Sequence, residues 1–228
     1  MIRRWRKRRA SRAWPGQADI SNWRQTTPEG RDVRRVFVFF GLIASGKSTL
    51  AEAFARRYDL PYYNTDRVRK ELAGLEAHRS AADGYGRGIY TGEFSRKTYQ
   101  AMLDRVRSEM RAGRDGVVLD GSYHSREERS RVRRLAAAEG VAAVFIHCVC
   151  GEDETRRRIA RRARDPLSVS DGRWEIYLVQ KEAFQPPAEL ADAELITLST
   201  ELPVARLLDI LALELNMEQG RGEFRADA

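Results

Sequence analysis

One eight-residue segment limits what this chain can fold into more than any other part of its sequence. Residues 41–48 read GLIASGKS and satisfy the pattern G-x-x-x-x-G-K-[ST] in full. The apolar run Val36–Phe40 precedes the segment, and an amphipathic run that begins at Lys47 follows it. A buried strand, a glycine-rich turn and a helix in this order predict a loop that binds the phosphates of a nucleotide.

The residue types in this loop suit a triphosphate. Glycines let the backbone curl so that successive N–H groups point at phosphate oxygens, and the helix N-terminus adds partial positive charge. We expect Lys47 to bridge the β- and γ-phosphates, Ser48 to offer its hydroxyl to Mg²⁺ and Thr49 to lie near the α-phosphate. The predicted cofactors are ATP and Mg²⁺, although the motif does not separate ATP from GTP. The predicted nucleotide-binding residues are Gly41, Leu42, Ile43, Ala44, Ser45, Gly46, Lys47, Ser48 and Thr49.

Short apolar runs alternate with longer amphipathic runs through the rest of the chain. The apolar runs predict five strands, at Val36–Phe40, Pro61–Asn64, Val117–Leu119, Ala142–Val149 and Glu194–Leu198. The amphipathic runs between them predict crossover helices, which join strands that pair in parallel. The predicted fold class is α/β, a three-layer P-loop NTPase fold with a five-stranded parallel sheet and a small helical lid.

The excess positive charge of the chain is confined to its N-terminal end. Residues 1–35 contain 11 of the 41 Lys and Arg and 3 of the 33 Asp and Glu, so this segment accounts for the whole net charge of +8. We expect residues 1–32 to form a flexible basic arm, residues 33–217 a single domain and residues 218–228 a polar tail. Such an arm can bind nucleic acid or anionic lipid, or it can be a simple mobile extension.

Composition excludes several classes of protein. No run approaches the roughly 20 apolar residues of a membrane-spanning helix. The basic N-terminal end lacks the apolar core of a secretory signal, and two cysteines are too few for a disulfide scaffold. These features lead us to expect a cytoplasmic protein without a transmembrane segment.

A carboxylate that could activate an acceptor hydroxyl follows the second predicted strand. Asp66 lies just beyond the carboxyl end of this strand, and in a parallel sheet such ends share one crevice with the phosphate loop. A carboxylate there can orient a hydroxyl and take its proton, while Arg69, one helical turn later, could bind an anionic or hydroxyl-rich acceptor. The alternative is that Asp66 only caps a helix predicted over Arg67–Leu75.

A second carboxylate follows the third predicted strand. Asp120 directly follows this apolar strand, as in a Walker B element, where an aspartate holds Mg²⁺ directly or through water. The alternative is a turn residue before Gly121. A magnesium ligand at this position would lie beside the phosphate loop, because the strand ends meet at one edge of the sheet.

An arginine-rich helix predicted over Glu152–Arg164 suits a lid. Arg158 and Arg162 are four residues apart and can share one helix face. We expect residues 156–172 to form the lid, with Asp165–Gly172 as its tip, and its arginines to neutralise charge on the transferred phosphoryl group. The alternative is a solvated basic face.

Together these motifs resemble one group of kinases. Besides the phosphate loop, the resemblance depends on Thr65–Leu72, on the glycine- and tyrosine-rich loop Tyr85–Thr91 and on Val117–Asp120. Over residues 36–199 the chain resembles the P-loop kinases that include polynucleotide 5′-kinases, gluconate kinases and chloramphenicol phosphotransferases. It is most similar to the ATP-binding half that is fused to aminoglycoside-phosphotransferase-like domains in some bacterial proteins.

The resemblance implies roles for individual residues. It implies that Asp66 is the general base and that Arg69 grips a phosphate of the acceptor, as the matching residues do in polynucleotide kinases. Arg87 and Tyr90 are expected to contact the acceptor, unless their loop only packs by its aromatic rings, and Tyr123 is a further expected contact. The predicted catalytic residues are Lys47, Asp66, Arg158 and Arg162, and the predicted metal ligands are Ser48 and Asp120.

Three functions are open at this point. The first is an ATP- and Mg²⁺-dependent phosphotransferase that moves the γ-phosphate to a hydroxyl of a small molecule, a metabolite or an antibiotic. The second is a polynucleotide 5′-hydroxyl kinase, which the basic arm and the Asp66–Arg69 pair would suit. The third is a nucleotide-dependent switch without catalytic activity. We expect the first, because the chain outside its N-terminal end carries no net charge.

Overall fold

The computed structural model describes residues 34–75, 91–162 and 174–217, and these residues contain five strands, seven α-helices and one short 3-10 helix over Asp192–Glu194. The strands are β1 (Arg35–Phe40), β2 (Tyr62–Asn64), β3 (Gly116–Asp120), β4 (Ala142–Val149) and β5 (Leu195–Ser199). The helices are α1 (Lys47–Arg57), α2 (Thr65–Leu72), α3 (Gly92–Arg111), α4 (Arg126–Ala138), α5 (Glu152–Arg162), α6 (Trp174–Ala183) and α7 (Val204–Glu214).

All five strands run parallel in one sheet of order β2-β3-β1-β4-β5. The register aligns Phe39 of β1 with Asp120 of β3, and Asp120 with Asn64 of β2. The carboxyl ends of these three strands therefore meet at one edge of the sheet, which is where parallel α/β proteins bind ligands. The predicted fold class, an α/β fold with a five-stranded parallel sheet, is confirmed.

Alternation along β1 supplies both faces of the sheet with core residues. Val36, Val38 and Phe40 face a cluster that α3 and α4 cover. Phe37 and Phe39 face a second cluster that α1 and α7 cover. Successive strand side chains point to opposite faces, so a strand that is buried on both sides needs a continuous apolar run. This requirement explains why the sequence of β1 is apolar without interruption.

Helix α2 begins two residues earlier than the sequence predicts. The side-chain oxygen of Asn64 accepts the backbone N–H groups of Asp66 and Arg67 at 3.0 and 3.1 Å, so Asn64 is the N-cap. The helix therefore starts at Thr65, and Asp66 lies inside its first turn. The alternative that Asp66 serves only as the cap is excluded, because Asn64 fills that position.

Helices α5 and α6 pack directly on the phosphate loop. Ile159 of α5 and Tyr177 of α6 are buried in one small cluster with Ala44 of the loop. The guanidinium of Arg156 on α5 lies 4.1 Å from the ring centroid of Trp174 on α6, so a cation–π contact joins the two helices. Helix α5 includes residues 156–162 of the predicted lid, whereas α6 begins beyond its predicted end at residue 172.

Several predicted features lie outside the described residues. These are the basic arm over residues 1–32, the polar tail over residues 218–228, the loop residues Arg87 and Tyr90, and the lid tip over residues 165–172. Within the three described ranges, no helix combines the length and the apolar character that crossing a membrane requires.

Candidate active site

The backbone of the phosphate loop needs glycine at two positions. Gly41 has φ +144°, and a Cβ there would lie 2.3 Å from the carbonyl oxygen of Cys148. Gly46 has φ +83°, and its Cβ would lie 2.9 Å from Nη1 of Arg158. Both conformations favour glycine, and both positions lack room for a side chain. The loop therefore lies close against the end of β4 and against α5.

Side chains from α5 and from the segment after β5 hold the loop. The Thr200 hydroxyl donates to the carbonyl of Ser45, and Nη2 of Arg158 donates to the carbonyl of Thr200 at 2.7 Å. Within the loop, the ammonium of Lys47 donates to the carbonyl of Leu42 at 3.3 Å. These bonds fix the loop before a ligand arrives, which is the preorganisation that electrostatic catalysis requires.

Asp120 is fully buried at the carboxyl end of β3. Its Oδ2 accepts hydrogen bonds from the Tyr62 hydroxyl at 2.7 Å and from the Asn64 amide, both on the neighbouring strand β2. Burial, and then the charge of the adjacent Asp120 carboxylate, raises the pKa of Tyr62, so its phenol stays protonated and keeps donating. Oδ1 of Asp120 makes no hydrogen bond to the part of the chain that the structure describes.

The unpaired oxygen of Asp120 fits a magnesium ligand. Mg²⁺ is usually bound by one or two carboxylates together with water and substrate phosphates. Ser48 lies in the first turn of α1, directly after the phosphate loop, and its hydroxyl is a hard oxygen that could be a second ligand. Among residues 34–75, 91–162 and 174–217, no group of three His, Cys, Asp or Glu side chains could hold a metal ion. The donor set therefore suits an ion that arrives with a nucleotide.

Asp66 and Arg69 form an ion pair one turn apart on α2. Nη1 of Arg69 donates to Oδ1 of Asp66 at 3.0 Å, and the side chains are 10% and 34% exposed, respectively. Oδ2 of Asp66 makes no hydrogen bond within the described ranges. The more buried arginine thus orients a partly exposed carboxylate that follows β2, next to the strand that ends in Asp120. One carboxylate oxygen can still accept a hydroxyl.

A row of polar side chains that are not among the predicted site residues runs from α3 across the turn after β3 to α4. The Tyr99 hydroxyl lies 3.1 Å from Oγ of Ser122, which lies 3.3 Å from Nδ1 of His124. The same His124 nitrogen lies 3.7 Å from the Glu128 carboxylate. Burial raises the pKa of Tyr99, and the nearby charge of Arg69 acts in the opposite direction. Helix α3, which carries Tyr99, packs against α2.

Tyr123 lies in the core, so its predicted contact with an acceptor needs correction. The residue is 1% exposed, and its ring packs edge-on against Tyr99 with the centroids 4.9 Å apart. Its backbone has φ +38°, a left-handed turn conformation. Because the phenol packs against protein, Ser122 and His124 are the half-buried side chains that this turn offers.

A fully buried arginine ties this turn to the segment after α6. Nε and Nη2 of Arg129 donate to the two carboxylate oxygens of Glu189 at 2.6 and 3.2 Å. Nη1 donates to the carbonyl of Tyr123 at 2.8 Å, and Nη2 also donates to the carbonyl of Gln185 at 2.9 Å. The guanidinium charge is thus paired and its donors are satisfied, as burial requires.

Replacing Arg129 with methionine is expected to destabilise the fold by about 3 kcal/mol, because Glu189 and two carbonyl groups lose a buried partner. For a domain of this size, the melting temperature falls by about 6–12 °C. Thermal unfolding followed by circular dichroism measures the shift. Arg134→Met is the control, since the ion pair of Arg134 with Glu127 is exposed and contributes at most about 1 kcal/mol. Equal melting temperatures would contradict the role of Arg129.

The two predicted lid arginines differ in their surroundings. Arg158 is held by Glu154, with Nε 2.8 Å from the carboxylate, in addition to its bonds to the segment after β5. Arg162 makes no hydrogen bond or ion pair to the described part of the chain. Burial, and then the charges of Arg158 and Arg161, lowers the pKa of Arg162, while the Asp120 carboxylate acts in the opposite direction. An anion beside Arg162 would therefore be stabilised.

Comparison with known proteins identifies the kind of domain. The model of the family AAA_33, described as an AAA domain, matches residues 36–187. An uncharacterized protein of Mycobacterium tuberculosis is 30% identical over 129 residues, which are 57% of this chain and 26% of that protein. The chain thus spans about a quarter of the length of this relative. A shikimate kinase of Brucella canis is 26% identical over 188 residues, which are 81% of this chain and 86% of that enzyme.

A solved structure supports the same architecture. A gluconokinase of Sinorhizobium meliloti superimposes with a TM-score of 0.55 at 19% identity, covering 82% of this chain and 93% of that one. The predicted P-loop kinase architecture is therefore confirmed. The narrower resemblance to polynucleotide 5′-kinases and chloramphenicol phosphotransferases stays a prediction, as do the domain limits at residues 33 and 217 and the roles of the site residues.

Proposed function

The chain belongs to the AAA domain family AAA_33 and has a P-loop kinase domain, and from this membership we propose that it is an ATP- and Mg²⁺-dependent phosphotransferase. The proposed acceptor is a hydroxyl group of a small molecule. Support comes from the shikimate kinase relative, whose name describes a kinase of a small molecule and whose alignment covers most of both chains.

This proposal depends above all on the alignment of the ends of three strands. β1 leads into the phosphate loop, β3 ends in Asp120, and β2 leads into Asp66 through the cap residue Asn64. A nucleotide bound by the loop would direct its terminal phosphate toward this edge of the sheet. Phosphoryl transfer to an alcohol uses a carboxylate for the magnesium ion and a carboxylate for the acceptor, and here the two follow the ends of adjacent strands.

In the proposed reaction, an acceptor hydroxyl binds at Asp66. Oδ2 of Asp66 accepts the hydroxyl proton while the acceptor oxygen bonds to the γ-phosphorus and the bond to the departing ADP oxygen breaks. Arg69 holds the carboxylate through Oδ1, which leaves Oδ2 for this task. Lys47 donates to the phosphate oxygens and stabilises the charge that develops on them.

Ser48 and Asp120 would hold the magnesium ion. The ion, when bound, neutralises charge on the β- and γ-phosphates. Oδ1 of Asp120 is available for it because Tyr62 and Asn64 bind only Oδ2. Burial keeps water away from this carboxylate and so strengthens its interaction with a cation.

Of the two lid arginines, Arg162 is the stronger candidate for the transferred phosphoryl group. Arg158 already binds Glu154 and the Thr200 carbonyl, so its main contribution is to hold the loop. Arg162 has no such partner within the described ranges, and its charge lies among other positive charges. A phosphate in the loop would compensate the charge of Arg162.

Transfer of label from γ-labelled ATP to pools of candidate acceptors tests this function. The pools contain polyhydroxylated acids such as shikimate and gluconate, aminoglycosides, chloramphenicol, and oligonucleotides with a free 5′-hydroxyl. We expect label in a small-molecule pool with the wild-type protein and none above background with Lys47→Ala. Deconvolution of the labelled pool then identifies the acceptor.

Other outcomes of the same screen would support the alternatives. Label in the oligonucleotides, with binding that weakens steeply as salt rises, would indicate a polynucleotide kinase. Tight ATP binding without transfer in any pool would indicate a nucleotide-dependent switch. A nucleic-acid partner stays a prediction, because the basic arm lies outside the described residues, and a cytoplasmic location stays a prediction as well.

A further inference from the structure

Helix α6 is held between the phosphate loop and the turn after β3. Near the start of the helix, Tyr177 is buried in the cluster that contains Ala44 of the loop. Just past its end, the backbone N–H of Gln185 donates to the carbonyl of His124 at 2.9 Å. The position of α6 is therefore fixed relative to both elements, and one polar side chain on it, Gln180, reaches the loop backbone.

Gln180 contacts the phosphate loop at a single peptide group. Its Oε1 accepts the backbone N–H of Ile43 at 2.9 Å. The carbonyl of the same peptide group belongs to Leu42 and accepts the ammonium of Lys47 at 3.3 Å. In a trans peptide the N–H and the C=O point in opposite directions. Gln180 and Lys47 therefore bind one peptide plane from opposite sides.

We infer that Gln180 is a positioning residue that acts on Lys47 through the Leu42–Ile43 peptide. With its N–H bonded to Gln180, this peptide turns its carbonyl toward the Lys47 ammonium. Rotation of the peptide plane would bring the N–H to face that ammonium, donor against donor, and would remove the carbonyl acceptor. The Ile43 N–H has no other hydrogen bond in the described residues, and the Leu42 carbonyl also accepts the backbone N–H of Ser45 at 3.2 Å. The side chain of Gln180 therefore opposes the rotation together with this turn hydrogen bond.

This inference depends on the nucleotide-binding part of the proposed function, and affinity tests it without any acceptor. Gln180→Met keeps the length of the side chain and removes the acceptor oxygen, whereas Gln180→Glu keeps an acceptor oxygen. We expect Gln180→Met to weaken the binding of a non-hydrolysable ATP analogue about 5- to 10-fold, the usual effect of one lost hydrogen bond. Gln180→Glu should stay within about twofold of the wild type. Isothermal titration calorimetry measures both affinities.

A control on the same helix shows whether any change in α6 has this effect. Glu182 is exposed and has no hydrogen bond in the described structure, so Glu182→Ala should bind the analogue like the wild type. Wild-type affinity in Gln180→Met overturns the inference. Equal weakening in Gln180→Met and Gln180→Glu also overturns it, because the Gln180 amide group rather than its oxygen would then be required. Thermal unfolding establishes that each variant is folded.

A double-mutant cycle tests whether the effect passes through Lys47. If Gln180 acts by orienting Lys47, then Gln180→Met has no further effect on affinity in a Lys47→Met background. Independent, additive losses in the double variant overturn that route. If no candidate acceptor receives phosphate, the proposed kinase activity is contradicted. The affinities for the ATP analogue can still be measured in that case, because they require nucleotide binding only.

Discussion

Lys47→Ala is expected to reduce phosphoryl transfer by on the order of 10²- to 10³-fold, the usual contribution of a preorganised donor aimed at developing charge. Lys47 opens α1, and its ammonium lies across the loop against the Leu42 carbonyl. A bound triphosphate would offer this ammonium charged oxygens in place of a neutral carbonyl, and their negative charge redistributes as the γ-phosphoryl group moves. The rate constant kcat, measured with the acceptor that the screen identifies, gives the loss.

A second lysine provides the control for this substitution. Lys97 on α3 forms an exposed i,i+4 ion pair with Glu93 at 2.9 Å, so Lys97→Ala removes the same charge from a surface position. Its kcat should stay within about twofold of the wild type, as is usual for an exposed site. Retention of more than about a tenth of the activity in Lys47→Ala would contradict the role of the lysine as a phosphate donor group.

Much of the sheet could be predicted because its central strands β3, β1 and β4 are largely buried on both faces. Such strands appear in the sequence as continuous apolar runs, and the run Ala142–Val149 gave the bounds of β4 correctly. The start of α2 was misplaced by two residues, since Asn64 is both the last residue of β2 and the cap of the helix. Because no loop residue separates this strand from the helix, the sequence contains no turn pattern that would mark where the helix begins.

The residues that hold the site in place could not be predicted, because their partners are distant in sequence. Gly41–Thr49 and Asp120 follow local patterns, which a strand and a glycine-rich turn make visible. Thr200 and Gln180 contact the phosphate loop from 155 and 137 positions away. Thr200 directly follows β5 and Gln180 lies on α6. No periodic pattern distinguishes either polar side chain from neighbours that are exposed to solvent. Only the packing of β5 and α6 brings them to the loop.

The periodicity of α4 does contain a signal for the buried arginine. Arg129 is three positions before Val132 and seven before Ala136, so it shares their buried helix face. Its neighbours in the arginine-rich run of α4 are less buried and conceal this spacing. An arginine on an apolar helix face predicts a paired, buried guanidinium, although the sequence does not indicate that Glu189 is the partner.

Asp66→Asn is expected to lower kcat by on the order of 10²- to 10⁴-fold while ATP binding stays unchanged, since asparagine cannot take a proton from an acceptor hydroxyl. The asparagine oxygen can still accept the bond that Arg69 now makes to Asp66 at 3.0 Å. Helix α2 should keep its start, because Asn64 and not Asp66 is the cap. Measuring kcat with the acceptor, and the dissociation constant of an ATP analogue without it, separates chemistry from nucleotide binding.

The Asp104–Arg107 pair on α3 gives this substitution a matched control. It has the same i,i+3 spacing as the Asp66–Arg69 pair and a similar separation of 2.9 Å, but it lies exposed on the surface. Asp104→Asn should therefore leave kcat within about twofold of the wild type. Full activity in Asp66→Asn would mean that the acceptor loses its proton to another group, and the assignment of the general base would be wrong. A base that acts only on the acceptor cannot alter the affinity for ATP in the absence of acceptor. Weaker ATP binding with unchanged kcat would therefore assign Asp66 to the nucleotide side of the crevice.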